Sequence, residues 1–416
     1  MSVEGTGSNL MAKKQEKALG NIKILDFGVS IIGPLVTKHF SDNGATVVKV
    51  ESKQRIDIAR TYVPMAGNIA GVDRCGWFDM YATGKYSIGL NLNHPRGVEL
   101  AKKLVAWADV VSNNFTAGTM QRWGLGYQDL VKIKPDVIMI EMSMFGQTGP
   151  LAKQSGFGTM MQASAGFTLL ASWPDRPPTG TSVPYTDFIG TWYAIIAIVA
   201  AIDYRKRTGK GQHIDLSQHE AGVTFLSPAI LDYTVNNRVL SGMGNRSNYA
   251  APHGVYRCRG DDRWCAVAVS NDKEWRAFCQ ALNNPAWAID DKFLTPSGRK
   301  GNEDELDKLV ESWTINQKAE QVMLKLQQVG VPAGIVEDGE DFHKDPQLKY
   351  RRRFVKLDHP EMGAHFYEDS SWRFSRTPAE VKRSPLFAEH NEYVYTKILG
   401  LPDEEFAQLL AEGVLE

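Results

Sequence analysis

The stretch NIKILDFGVSIIGPLVTKHFSDNGATVVKV, residues Asn21 to Val50, decides the fold. Its start, Asn21 to Phe27, alternates branched apolar side chains and reads as a buried strand. Gly33-Pro34 opens a helix over Leu35 to Asn43, Gly44 closes it, and Ala45 to Val50 is the next strand. Strand, helix and strand within about thirty residues form a βαβ unit, which requires parallel strands and a right-handed crossover. The unit repeats. Tyr86 to Leu92 is a third strand, and Pro95 starts the helix Arg96 to Ala108. Asp109 to Ser112 and Asp136 to Ser143 are further strands, with helices at Gly118 to Trp123 and Tyr127 to Ile133 between them. The expected fold class is α/β, a doubly wound parallel-sheet large domain with a smaller α+β domain. The first turn has no GxGxxG fingerprint, so a dinucleotide-binding dehydrogenase is disfavoured, although Glu51 stands where its ribose-binding acid would be.

Further on lies VPYTDFIGTWYAIIAIVAAIDYRKRTGKGQHIDLS, residues Val183 to Ser217. Trp192 to Ile202 carries no charge and reads as a helix buried on most of its surface; its eleven residues are too few to span a bilayer. Arg205-Lys206-Arg207 suit the negative end of that helix, and a Gly-Lys-Gly turn leads to the strand His213 to Leu216. Asp187 stands at the mouth of the run. It reads as an N-cap, Asp being a preferred capping residue. The same position also allows a carboxylate held ionised by backbone N–H groups and the helix dipole, and an ionised carboxylate is a usable nucleophile.

Around Asp187 the texture is irregular. Ser155 to Gly166 is rich in Gly, Ser and Met, and Trp173 to Tyr185 holds four prolines. Long irregular stretches in compact domains are usually functional. A connector from Gly222 to Gly254 carries a Gly-rich loop, Gly242 to Arg246, and Gly254 to Ser270 reads as a hairpin turning at Gly260-Asp261-Asp262. Helices follow at Lys273 to Leu282, Glu303 to Trp313 and Lys318 to Val329; Val331 to Val336 and Phe354 to Asp358 are strands, and Asp403 to Glu412 is the last helix. The expected division is a disordered N-terminus over residues 1–20, a large α/β domain over 21–224, a small α+β domain over 225–330, and a return to the large domain over 331–416.

Composition excludes several classes. The chain has 47 Lys plus Arg against 48 Asp plus Glu, so no nucleic-acid or polybasic membrane partner is expected. Cys75, Cys258, Cys265 and Cys279 lack CxxC spacing and read as buried thiols of a reducing compartment. The first twenty residues have no apolar core of a signal peptide, and the expected location is cytoplasmic. His213, His253 and His390 have no carboxylate or Cys partner at ligand spacing, so no metal site is expected. Lys49, Lys53, Arg55, Lys85 and Arg122 could hold phosphates, but taken singly each reads as solvated surface. There is no Gly-x-Ser-x-Gly elbow and no Cys–His arrangement. The residues alone point to a small anionic ligand bound at strand ends.

Three segments go further: Leu25 to Ser52, Gly89 to Leu130, and Asp187 to Ala221 with its Arg-Thr-Gly-Lys-Gly-Gln ending at Gln212. They resemble the family III CoA-transferases, the formyl-CoA and carnitine CoA-transferase group, and the resemblance continues to Ser384 to Leu401. It implies that Asp187 is the nucleophile. It also implies CoA contacts at Ile31, Ile32, Leu90, Asn91, Asn114, Phe115, Thr116, Arg122 and Phe157, and an interlocked dimer. Two departures stand out: the polar residue often seen at Ile31 and the basic one sometimes seen at Ser52 are absent. The reaction implied moves CoA from an acyl-CoA such as succinyl-CoA to a free carboxylic acid through anhydride and aspartyl-CoA thioester intermediates. No cofactor is permanently bound, and Gly242 and Gly244 would lie in a mobile loop over the substrates. Trp173 to Phe188 and Gly244 to Trp264 resemble the succinyl-CoA:benzylsuccinate CoA-transferase branch, which implies a role in anaerobic toluene breakdown and a homodimer or a heterodimer with a related chain. Trp173, Tyr185, Phe188, Trp192 and Tyr249 would then line a pocket for a phenyl group. Two other readings are a non-catalytic partner subunit and an α-methylacyl-CoA racemase; the racemase His-Asp pair is replaced here by Gly156-Phe157-Gly158.

Overall fold

A computed structural model describes residues 16–416. Most of the N-terminal segment expected to be disordered lies outside the described residues. The described residues divide into two compact units, one reaching to residue 166 and including 182–228 and 348–416, the other of residues 167–181 and 229–347.

In the first unit six strands form one parallel sheet: β1 (Lys23–Asp26), β2 (Thr46–Glu51), β3 (Tyr86–Gly89), β4 (Val110–Asn113), β5 (Ile138–Ser143) and β6 (His213–Ser217). Their order is β3-β2-β1-β4-β5-β6. The order reverses between β1 and β4, and a crevice opens at the carboxyl ends of the strands there. Successive side chains of a strand point to opposite faces, so each strand feeds two cores. Leu25, Val48 and Ile88 join Leu100 and Leu104 of the helix Pro95–Trp107, together with Tyr395, Leu409 and Val414 near the chain end. Ile24, Val47 and Ile140 face the other way, toward Ile32, Val36 and Phe40 of the helix Ile32–Asp42 and Ala194, Ile198 and Ala201 of the helix Tyr185–Thr208. Each Leu, Ile, Val or Phe among them contributes roughly 1.5–3 kcal/mol on burial. The fold is thus the expected doubly wound α/β sheet.

Several local expectations change. The apolar helix is 24 residues long, Tyr185–Thr208, so by length and composition alone it could cross a membrane. Its inner stripe is instead packed into the sheet's core, while Trp192, Ile196 and Val199 on the outer stripe are exposed. It is therefore not buried on most of its surface. Gly158–Ser164 and Ser227–Asn236 are helices within stretches read as irregular, and an antiparallel hairpin pairs β10 (Phe354–His359) with the unexpected β11 (Gly363–Glu368).

Lys49 and Lys85 are not surface residues but fully buried. Lys85 Nζ donates to Asp26 Oδ2 at 3.0 Å, Thr37 Oγ1 at 2.7 Å and the Pro34 carbonyl at 2.8 Å. Burial pushes the Lys85 ammonium down to about 8, with Asp26 pulling the other way. Lys49 lies 2.8 Å from Asp57 Oδ2, and Glu51 holds Arg60 through two bonds of 2.8 and 2.9 Å. Glu51 is thereby occupied and is no ribose ligand. His213, read as lacking an acidic partner, lies 2.8 Å from Glu141 across neighbouring strands. Spacing along the chain could not reveal these pairs, because parallel pairing sets them side by side from distant segments.

The second unit is built on an antiparallel sheet of β7 (His253–Arg257), β8 (Trp264–Ala268) and β9 (Ala333–Ile335). The helices Asp272–Ala281, Glu303–Thr314 and Ala319–Gln328 supply Trp275, Phe278, Leu306, Val310, Val322 and Leu326 to its core.

Candidate active site

The loop after β1 shows why no dinucleotide pyrophosphate sits there. Gly28 and Gly33 approach so closely that a Cβ on Gly33 would lie 2.6 Å from the Gly28 Cα. Three of the backbone N–H groups of this turn are already taken. Gly28 N donates to Asp26 Oδ1 at 2.8 Å, Val29 N to Asn114 Oδ1 at 2.8 Å, and Ser30 N to Asp57 Oδ1 at 2.7 Å. Asn114 also donates through Nδ2 to the Val29 carbonyl at 2.9 Å, so its amide clamps both sides of that peptide.

Beside this loop a cavity of about 260 Å³ is walled from the carboxyl ends of four strands: Val29 to Ile31 after β1, Asn114 to Thr116 after β4, Ser143 and Met144 at the end of β5, and Gln218 after β6. Gly156, Phe157, Gly158, Pro184 and Asp187 close it. Asp187 is the single charged side chain of its lining. The residue is 8% exposed, and burial pushes its carboxyl up to about 7. Two expectations are corrected here. Pro184, not Asp187, is the N-cap of the helix, and Asp187 lies in its first turn. Burial also works against ionisation, so the free carboxyl is not held in the ordinary carboxylate range. Gly158 is required by contact: a Cβ there would lie 1.9 Å from Asp187 Oδ2 and 2.5 Å from the Pro184 Cβ.

A second cavity of about 250 Å³ adjoins the first, sharing Val29, Ile58 and Phe115 as a common wall. Its other lining is Phe27, Val50, Leu90, Leu92 and Trp123, with Ser52, Arg55 and Asn93 as polar members and Glu51 beneath. The pair of cavities suits an elongated ligand with one reactive end at Asp187 and an apolar, ring-bearing end near Trp123.

Of the residues implied by resemblance, Ile31, Asn114, Phe115, Thr116, Phe157 and Asp187 line the first cavity, and Leu90 and Phe115 the second. Ile32 is in the core. Asn91 binds the chain end, its N–H donating to the Val414 carbonyl at 2.9 Å. Arg122 lines neither cavity and donates to Thr119 Oγ1 at 3.0 Å. Tyr185, Phe188 and Trp192 do not line the Asp187 cavity either, and Trp173 and Tyr249 belong to the second unit. In the second unit Gly242 and Gly244 permit close packing: a Cβ would lie 2.2 Å from the Ser172 carbonyl oxygen at the first and 2.5 Å from the Trp173 ring at the second. Sequence reading missed Tyr62, Ser143 and Gln218, while Arg55, named there as a possible phosphate ligand, lines the second cavity. The usable signal was position, since Ser143 ends one strand and Gln218 follows the next. Both bring a buried polar atom without a partner, Ser143 Oγ and Gln218 Oε1.

Comparison with known proteins agrees with this geometry. The model of CoA-transferase family III matches residues 19–391. The succinyl-CoA–D-citramalate CoA-transferase of Chloroflexus aurantiacus is 30% identical over 407 residues, covering 98% of this chain and 100% of that protein. The β subunit of the succinyl-CoA–L-malate CoA-transferase of the same organism is 29% identical, covering 95% and 98%. A solved CAIB/BAIF family protein from Brucella suis superposes with a TM-score of 0.84 at 31% identity, covering 92% of this chain and 100% of that one. With its six-stranded sheet, its paired cavities and a match over most of its length, this protein belongs to CoA-transferase family III and is a CoA-transferase.

Proposed function

We propose that the enzyme moves CoA from succinyl-CoA to a second carboxylic acid through covalent intermediates on Asp187. The observation that carries the reading is the shared wall of the two cavities, with a lone buried acid at one end. The Asp187 carboxylate attacks the donor thioester carbonyl, giving an aspartyl–acyl anhydride and releasing CoA thiolate. The thiolate attacks the aspartyl carbonyl, expelling the donor as a free carboxylate and leaving an aspartyl-CoA thioester. The acceptor carboxylate attacks that thioester, and the released thiolate then takes the acceptor's acyl group from the new anhydride, restoring Asp187. The net reaction trades one thioester and one carboxylate for another pair of similar energy, so no nucleoside triphosphate is needed. Burial makes Asp187 more basic and poorly solvated, both of which favour attack once it is ionised. The neutral lining protects an anhydride from charged bases that would deliver water to it.

The donor is supported by the two Chloroflexus relatives, whose names both specify succinyl-CoA. Benzylsuccinate is the acceptor favoured by the resemblance of Trp173 to Phe188 and Gly244 to Trp264; Phe157 and Phe115 are the phenylalanines that line the Asp187 cavity. The enzyme would work in the cytoplasm, a setting supported by four buried unpaired cysteines. It would work as a dimer with a copy or a related chain, a state supported by the exposed apolar stripe of Trp192, Ile196 and Val199 and by the subunit designation of the malate relative.

The test is trapping. Hydroxylamine added during turnover with succinyl-CoA should convert Asp187 to a hydroxamate and inactivate the enzyme, with no effect on the resting protein. Inactivation that leaves the Asp187 peptide unmodified and labels another acid would overturn the assignment.

A further inference from the structure

The helix Gly76–Tyr81 has six residues, and helices shorter than about 12–15 residues are marginal by themselves, so this one stands by its contacts. On one side Phe78 lies under the Arg60 guanidinium, with Arg60 Cζ 3.4 Å from the ring centre. On another, Asp79 is 2% exposed and gathers donors from the far end of the chain. Tyr367 donates to Asp79 Oδ1 at 2.6 Å, Ser384 Oγ donates to the same oxygen, and His365 Nε2 lies 2.5 Å from Oδ2. His365 and Tyr367 are both on β11. A buried carboxylate needs such partners, but an apolar side chain would fill the space without them. What the acid adds is direction: apolar burial is non-directional, whereas hydrogen bonds fix an angle and with it the rotation of the helix.

That rotation governs two aromatic side chains of the same helix. Trp77 meets Tyr62 edge-on at 6.4 Å, and Tyr62 lines the Asp187 cavity with its hydroxyl 3.1 Å from Ser30 Oγ. Trp77 meets Tyr81 at 5.7 Å, and Tyr81 meets Phe188, the residue after Asp187, at 6.3 Å. The three interplanar angles are 88°, 70° and 74°, the edge-to-face arrangement that ring quadrupoles favour. Burial, then the charges of Glu368 and Asp187, push the Tyr81 hydroxyl up, so that ring senses both the end of β11 and the acid of the cavity. The row of rings runs unbroken from the cavity wall to the neighbour of Asp187. Asp79 itself lines neither cavity.

We propose that Asp79 is a positioning residue for the transfer reaction. Bonded to His365, Tyr367 and Ser384, it fixes the helix Gly76–Tyr81, and through Trp77 and Tyr81 it sets Tyr62 in the cavity wall and Phe188 beside Asp187. This rests on the reading of Asp187 as the reacting acid. The CoA-binding walls of the second cavity are untouched by the row, so the effect belongs to the chemical step more than to thioester affinity.

The experiment uses the full chain and follows exchange of isotopically labelled succinate into succinyl-CoA, which needs no second acid. Asp79→Ala keeps the Phe78–Arg60 contact and should fold; it is expected to lower kcat by about a hundredfold, the cost of misplacing reacting groups by an ångström, with KM for succinyl-CoA nearly unchanged. Asp79→Asn still accepts from Tyr367 and Ser384 and should recover most of the loss. Tyr81→Leu breaks the row beyond Asp79, so the double variant Asp79→Ala/Tyr81→Leu should be no slower than the slower single one. Amide hydrogen exchange should quicken in Asp79→Ala over residues 76–81 and also over 185–190, with or without turnover. A merely structural anchor would lower the melting temperature and loosen residues 76–81 alone. Unchanged kcat in folded Asp79→Ala, losses that multiply in the double variant, or exchange confined to 76–81 overturns the proposal. If Asp79→Ala does not fold, His365→Ala and Tyr367→Phe, each removing one donor, carry the same cycle with smaller losses and the same criteria. Coupled losses in a wild type background that forms no hydroxamate at Asp187 uphold the positioning role and overturn the nucleophile; a trapped Asp187 with kcat unmoved in the Asp79 variants does the reverse.

Discussion

At the residue scale Asp187 couples chemistry to stability. Its carboxyl is raised by burial to about 7, so the ionised form that the proposed mechanism uses fills only as pH passes that value. The kcat/KM for succinyl-CoA should climb through about pH 7 and level off above it. Asp187→Ala should abolish transfer with the fold intact, which circular dichroism and an activity assay together check. The stability consequence has a definite sign. A carboxyl raised in the folded state binds its proton more tightly there than in the unfolded chain. Stability is therefore full below the ordinary carboxylate range and is lost as pH rises through about 7. Asp187→Asn, never charged, should raise the melting temperature at pH 8 and leave it nearly unchanged at pH 4. The gain is bounded at about 4 kcal/mol, from about 1.4 kcal/mol per pH unit over that window. Gly158 is set by the same carboxyl. Gly158→Ala forces a methyl group to within 1.9 Å of Asp187 Oδ2, so the acid must move. A loss of at least a hundredfold in kcat is expected, since misplacing a reacting group by an ångström costs about that much.

At the element scale the loop after β1 is held by the Asn114 amide together with the Asp26 and Asp57 carboxylates. Asn114, just after β4, bonds both the N–H and the carbonyl of Val29, and Val29 so fixed is one of the three residues in the wall common to both cavities. Asn114→Ala leaves those backbone groups without their partner at a part-buried site. The expected cost is about 1–3 kcal/mol in urea unfolding, with KM for succinyl-CoA raised more than kcat is lowered. Asn114→Asp can still accept from Val29 N but cannot donate to the carbonyl, so it should fall between the two. The helix Tyr185–Thr208 is the other organising element. Ile189, Ala194, Ile198 and Ala201 seat it in the core, and that seating fixes where Asp187 points.

At the scale of the whole molecule that helix leaves an apolar stripe outward, with Ile196 at 68% exposure and Trp192 at 43%. If a second chain covers it, Ile196→Asp should convert the dimer to a monomer in light scattering at micromolar concentration while far-ultraviolet dichroism is unchanged. An unaltered mass would place the partner's surface elsewhere. The sequence by itself determined the alternation of strand and helix, because periodicity and turn residues such as Gly44 and Pro95 are local properties. It also singled out Asp187 and a minority of the first cavity's lining, since Asn114 to Thr116 and Phe157 belong to motifs continuous along the chain. Only the tertiary structure decided what depends on neighbours distant in sequence. Lys49 and Lys85 read as surface but are buried, because their acids Asp57 and Asp26 arrive from other segments to pair with them. Asp187 reads as a held anion but is raised by desolvation, which is a property of the closed cavity and not of a helix end. Arg122 matched a motif but lines neither cavity, while Arg55, read singly as surface, lines the second beside a turn closed on Ser52. Parallel pairing sets strand ends from across the chain side by side, and which side chains meet there follows from register and burial, quantities that no single segment encodes.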